Sequence, residues 1–216
     1  MKLKKVAAIC GQSGMFNLFD QIDENGEVSC QWLGDGGACY PIVGMPYMGT
    51  ENLCAMFDIP EKKQEKLIFR HDKAPDNINW ESADPLEYSL GSPKLCVRWE
   101  GRELLPLRTS AGITFIQEKY LAPLDNLDYM CLYERKSKGG GLYIAAKIGM
   151  MLQAVIMPMD VISKDFVDKM DELTEMCRAA LLKKNRMQAE REREARDREQ
   201  GTLFPENGDA GEGAGE

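Results

Sequence analysis

Apolar and polar positions alternate over short stretches through most of this chain and switch to a helical period only near its end. Period-two alternation puts every second side chain on one face of a strand, whereas recurrence every three or four residues builds one face of a helix. The pattern predicts strands over residues 3–10, 15–22, 27–33 and 38–43, and again over 66–70, 95–99, 103–107, 113–117, 129–134 and 142–148. Turn chemistry separates them. Asp23-Glu24-Asn25-Gly26 predicts a tight hairpin, because Asn-Gly suits a turn whose two central residues both take positive φ. Gly34-Asp35-Gly36-Gly37, Glu100-Gly101 and Lys136-Ser137-Lys138-Gly139-Gly140-Gly141 mark further turns. Strands this short at this spacing predict an α+β fold that is mostly antiparallel sheet or a partly open barrel.

Two helices complete the reading. Thr50 is placed to cap a short one over residues 51–57, which Asp58-Ile59-Pro60 ends. Ser163 caps a long one, with Asp165 in its first turn and Phe166, Met170, Leu173, Cys177, Ala180 and Leu181 along one face. That face is expected to dock on the sheet or on a second subunit. After Leu182 the apolar stripe fades, and Glu192 with Arg196 and Glu194 with Arg198 form pairs four apart in the favourable order. The organisation expected is a β-rich domain over 1–182 with a joint in 72–93, a charged helical extension over 183–199, and an acidic disordered tail over 200–216. An internal echo suggests a duplicated hairpin-plus-helix unit. Met45-Pro46-Tyr47-Met48 precedes the first helix, and Met157-Pro158-Met159-Asp160 precedes the second.

Composition narrows the function classes. With 44% hydrophobic and 29% charged residues, 216 residues can bury one ordinary core. A net charge of −8 opposes a whole-protein polyanion binder. The middle of the chain is locally basic, and Lys94, Arg98, Arg102 and Arg108 are its candidate nucleic-acid contacts. The first apolar run follows basic residues but stops after Cys10, too short for a signal peptide or a membrane span. Residues 142–159 are interrupted by Lys147, Gln153 and Pro158 and read as core strands. Seven scattered cysteines without an export signal predict reduced thiols in the cytoplasm.

Catalytic patterns are sparse. Zinc sites bring cysteines in close pairs, whereas the nearest here, Cys30 and Cys39, stand nine apart, and no metal or cofactor is expected. His71, the single histidine, would have to meet a thiol in space to activate a cysteine nucleophile. Asp20 with Asp23 and Asp125 with Asp128 are carboxylate pairs that acid/base chemistry could use, and they keep open the alternative of an enzyme. A third reading is an assembly protein that oligomerises through the long helix.

In the tail, Gln200-Gly201-Thr202-Leu203-Phe204 resembles the Gln-x-x-Leu-Phe pentapeptide by which many bacterial replication and repair proteins dock on the DNA polymerase sliding clamp. The resemblance implies Gln200 as a hydrogen-bonding anchor and Leu203 and Phe204 as apolar anchors, with Gly201 where the motif often has Leu. Gln31-Trp32-Leu33-Gly34-Asp35-Gly36, Tyr40-Pro41-Ile42, Phe57-Asp58-Ile59-Pro60 and Leu105-Pro106-Leu107-Arg108 resemble uncharacterised proteins carried by prophages of Gram-positive bacteria. Together they imply a non-enzymatic accessory protein of phage-like DNA replication or repair, with the sliding clamp as partner.

Overall fold

The computed structural model describes residues 1–91, 95–124 and 129–203. Among the described residues the fold is α+β: an eight-stranded mixed sheet, a separate three-stranded antiparallel sheet, and four helices, with no closed barrel. Two units are distinguished, residues 1–160 and residues 161–216.

The first unit opens with helix α1 (Leu3–Ser13), where a strand was expected over residues 3–10. Val6, Ile9 and Cys10 are buried at helical spacing, so the apolar run is one side of a helix. Gly14, at φ +75°, caps it by donating its N–H to the Cys10 carbonyl. Strands β1 (Met15–Ile22), β2 (Val28–Gly34) and β3 (Ala38–Ile42) then form an antiparallel meander. In the first hairpin only Gly26 takes positive φ, and Asn25 does not. Asp23 organises the loop instead: its carboxylate accepts the N–H groups of Asn25 and Glu27, and its own N–H bonds the Glu27 carbonyl at 2.8 Å.

Helices α2 (Thr50–Met56) and α3 (Glu61–Gln64) lead to β4 (Ile68–Lys73), which pairs parallel with β1. Strand β5 (Tyr88–Leu90) forms inside the segment expected to be a joint. The small sheet is β6 (Val97–Trp99), β7 (Arg102–Thr109) and β8 (Gly112–Gln117), with Glu100 and Gly101 both at positive φ in its first turn. A 3-10 turn at Glu118–Leu121 precedes a second meander, β9 (Met130–Lys136), β10 (Leu142–Ile148) and β11 (Met151–Ile156).

The large sheet runs β4-β1-β2-β3-β11-β10-β9-β5, so the two meanders meet edge to edge where Cys39 pairs with Val155 and Ala38 with Ile156. Its two faces bury different things. Phe16, Leu18, Leu33, Tyr40, Ile144 and Ile156 share one core with Val6 and Ile9 of α1, Leu53 of α2, and Leu105, Leu107 and Ile116 of the small sheet. The opposite face carries Trp32, Tyr143, Ala145 and Val155, covered by Ala74 and Trp80 from the loop over residues 74–87. Each large apolar side chain buried this way contributes about 1.5–3 kcal/mol.

The second unit is helix α4 (Lys164–Leu203), 40 residues long. Ser163 caps it as expected, its Oγ accepting the Phe166 N–H at 3.2 Å. Among the described residues no helix is long and apolar enough to cross a membrane.

Candidate functional site

Of the pentapeptide that resembles a clamp-docking motif, Gln200 and Leu203 lie on the last turn of α4, and Phe204 lies outside the described residues. From Asp171 to Glu199 every side chain of that helix is exposed. Arg98, Arg102 and Arg108 are also exposed, on β6 and β7, but strand register divides them. Arg98 stands opposite Glu103 and shares its face, whereas Arg102 and Arg108 occupy the other face of β7. Lys94, Asp125 and Asp128 lie outside the described residues.

The histidine finds a carboxylate rather than a thiol. Parallel pairing sets His71 of β4 beside Leu18 of β1, one pleat from Asp20, while β2 sets Gln31 opposite Asp20. Three polar side chains on adjacent strands therefore share one face. Asp20 Oδ2 stands 3.0 Å from His71 Nε2 and accepts the Tyr47 hydroxyl at 3.1 Å, and Oδ1 accepts Gln31 Nε2 at 2.7 Å. Gln31 in turn holds the Met48 backbone on both sides, its Oε1 accepting the N–H at 2.7 Å and its Nε2 donating to the carbonyl at 3.0 Å. Tyr47 and the His71 ring also lie 5.9 Å apart between centroids.

This cluster latches the segment before α2 onto the sheet edge and sets the electrostatics there. Burial is the largest influence on the Asp20 carboxyl and pushes it up. Hydrogen bonds from Gln31, His71 and Tyr47, with the charge of a protonated His71, override it and hold the group below the usual carboxylate range. The same bond raises the Tyr47 phenol, because ionising it would set two anions together. Chemically, Asp20 is a fixed acceptor between an imidazole and a phenol, an arrangement that can orient either for proton transfer. Asp23 takes no part, being the turn residue described above.

The lowered Asp20 gives a pH dependence of stability. A carboxyl depressed in the folded state stabilises the fold above its unfolded value of about 3.9, and that contribution disappears as pH falls through the folded value. Asp20→Asn is therefore expected to cost more stability at about pH 6 than at about pH 3. Urea midpoints of both proteins at the two pH values check this, and an equal gap at both would show that the charge of Asp20 contributes nothing.

A denser polar network joins the loop over residues 74–87 to the sheet. Arg135, whose side chain is 0% exposed, donates to Glu87 Oε2 from Nε at 2.9 Å and from one terminal nitrogen at 2.6 Å. Its remaining donors reach the carbonyls of Asn79, Glu81 and Ser82 at 3.2, 2.8 and 3.1 Å. Lys147 bonds the other Glu87 oxygen at 2.7 Å. Elsewhere, Asp35 caps the turn between β2 and β3 through the N–H groups of Gly37 and Ala38 and meets the Tyr120 hydroxyl at 3.3 Å. These carboxylates hold backbone in place.

The cysteines are all free. Cys10, Cys39 and Cys54 are buried, and burial, with Asp35 nearby, pushes the Cys39 thiol up to about 12. A thiol held protonated in this way is a poor nucleophile.

A cleft of about 630 Å³ opens between α1 and the α2–α3 region. Ala7, Phe16, Met56, Phe57, Ile59 and Leu67 give it an apolar lining, and three lysines, Lys4, Lys63 and Lys66, stand among them against one acid, Asp58. Its chemistry suits an apolar group that carries negative charge. Sequence reasoning did not find this cleft, because α1 reads as a strand in isolation. No protein family, curated protein or solved structure matches the chain.

Proposed function

We propose that this is a non-enzymatic accessory protein of phage-like DNA replication or repair, tethered to the bacterial sliding clamp by Gln200, Leu203 and Phe204. The observation that supports the reading is the setting of the peptide. It closes a 40-residue helix whose side chains are exposed from Asp171 through Glu199. Such a helix spans about 60 Å and acts as a spacer for what stands at its end. An apolar Leu-Phe pair beside a segment rich in Gly and Glu has little of its own sequence to bury against, which favours a partner's pocket.

The energetics set the expected strength. Burying Leu203 and Phe204 contributes about 1.5–3 kcal/mol each, and fixing each residue's backbone in the bound form costs about 1–2 kcal/mol. Binding at micromolar strength or weaker, about −8 kcal/mol at best, is expected. In fluorescence anisotropy with labelled full-length chain, replacing Leu203 and Phe204 together by Ala should weaken clamp binding about thirtyfold or more, equivalent to about 2 kcal/mol or more. Equal binding by the double variant, or no binding by the unaltered chain, would refute the tether.

A further inference from the structure

Helix α4 carries a second interaction surface, which goes beyond the clamp tether. Met170, Leu173, Cys177, Ala180, Lys184 and Met187 follow one another at spacings alternating between three and four residues. That alternation is the seam of a two-stranded coiled coil, where each residue packs into a hole on a facing helix. Met176 and Leu181 widen the seam on its two flanks. Among the described residues the seam is exposed from Leu173 onward. Leu173, Met176, Leu181 and Met187 are 52%, 64%, 58% and 45% exposed.

Charge identifies the occupant. Residues 165–175 hold Asp165, Asp168, Asp171, Glu172 and Glu175 against one lysine, whereas residues 178–189 hold Arg178, Lys183, Lys184 and Arg186 and no acid. The stretch is thus acidic at one end and basic at the other, complementary to itself when reversed. We infer that two copies of this chain pair antiparallel through α4, centred between Arg178 and Ala179.

In that register Met170 meets the second copy's Met187, Leu173 meets its Lys184, and Cys177 meets its Ala180. The methylene stem of Lys184 covers Leu173 while its amine reaches water. Lys169 comes beside the second copy's Glu190. A parallel pair would instead set Lys184 against Lys184 and Arg191 against Arg191 in the seam, so like charges oppose it.

Two measurements on the full chain test the pairing. In analytical ultracentrifugation the unaltered chain is expected at twice its 24.3 kDa mass at micromolar concentration. Leu173→Glu with Ala180→Glu, both at exposed positions, should weaken dimerisation about a hundredfold or more while leaving the thermal melt of the sheet domain unchanged. Orientation is read by oxidation of Ala180→Cys in a chain also carrying Cys96→Ser and Cys131→Ser. Antiparallel pairing sets Cys177 within disulfide reach of the new thiol on the other copy, and cleavage after Arg178 separates the two positions for mass spectrometry. A monomer at every concentration, dimerisation indifferent to the glutamates, or a Cys177-to-Cys177 bridge in place of the mixed one would each overturn the inference.

Discussion

Replacing Arg135 by Met should destabilise the sheet domain by about 3–5 kcal/mol, lowering its melting temperature by on the order of 10 °C. The cost arises from what the guanidinium leaves behind. Glu87 would keep Lys147 but lose two charge-assisted bonds, and the carbonyls of Asn79, Glu81 and Ser82 would lose a buried donor. Arg135→Lys should recover little, because one ammonium cannot reach a carboxylate and three carbonyls arranged around a planar fork. Urea denaturation followed by far-UV circular dichroism measures both variants. A loss of under about 1 kcal/mol in Arg135→Met would mean that the guanidinium contributes little to holding the loop.

Gly34→Ala is expected to cost about 3 kcal/mol or more, although it adds a single methyl group. A Cβ at Gly34 would lie 1.8 Å from the Ala38 carbonyl oxygen and 2.8 Å from Cys39 Sγ. The obstruction is backbone, so no rotamer change relieves it, and the turn that seats β3 against β11 must reshape. Gly11→Ala is the matched comparison. Its Cβ would meet nothing within 4 Å on the exposed side of α1, and a stabilisation of about 0.5–1 kcal/mol is expected there. Thermal melts of the two variants should move in opposite directions. Similar shifts would show that the clash at Gly34 is absorbed.

How far the sequence revealed this molecule depends on the distance over which each feature is decided. Strands bounded by turn residues were legible because both signals are local: β7, β8 and β10 fall within a residue or two of the pattern. The Ser163 cap was legible for the same reason. Helix α1 was not, since Val6-Ala7-Ala8-Ile9-Cys10 is an unbroken apolar run that fits either period, and only the burial of one side decides it. The two Met-Pro pairs do follow β3 and β11, the strands that join the two meanders.

The site was less legible than the fold. Asp20 and His71 are 51 residues apart and meet only because β4 enters the sheet parallel to β1, a pairing that no local signal announces. The apparent partners of Asp20 in the sequence were its neighbours, and Asp23 proved to serve the turn. The loop over residues 74–87 looked like a joint because its anchors are remote: Arg135 and Tyr143 belong to strands that the chain reaches some fifty residues later.

The covering of the sheet by that loop also gives the molecule an optical handle. Two of its three tryptophans, Trp32 on the sheet and Trp80 on the loop, lie with ring centroids 4.9 Å apart, and Trp99 belongs to the small sheet. Both are nearly excluded from water. Lifting the loop would separate and wet them together, shifting intrinsic emission to the red while the strands beneath kept their backbone signal. Emission and far-UV ellipticity recorded on one sample therefore distinguish an unseated loop from an unfolded sheet.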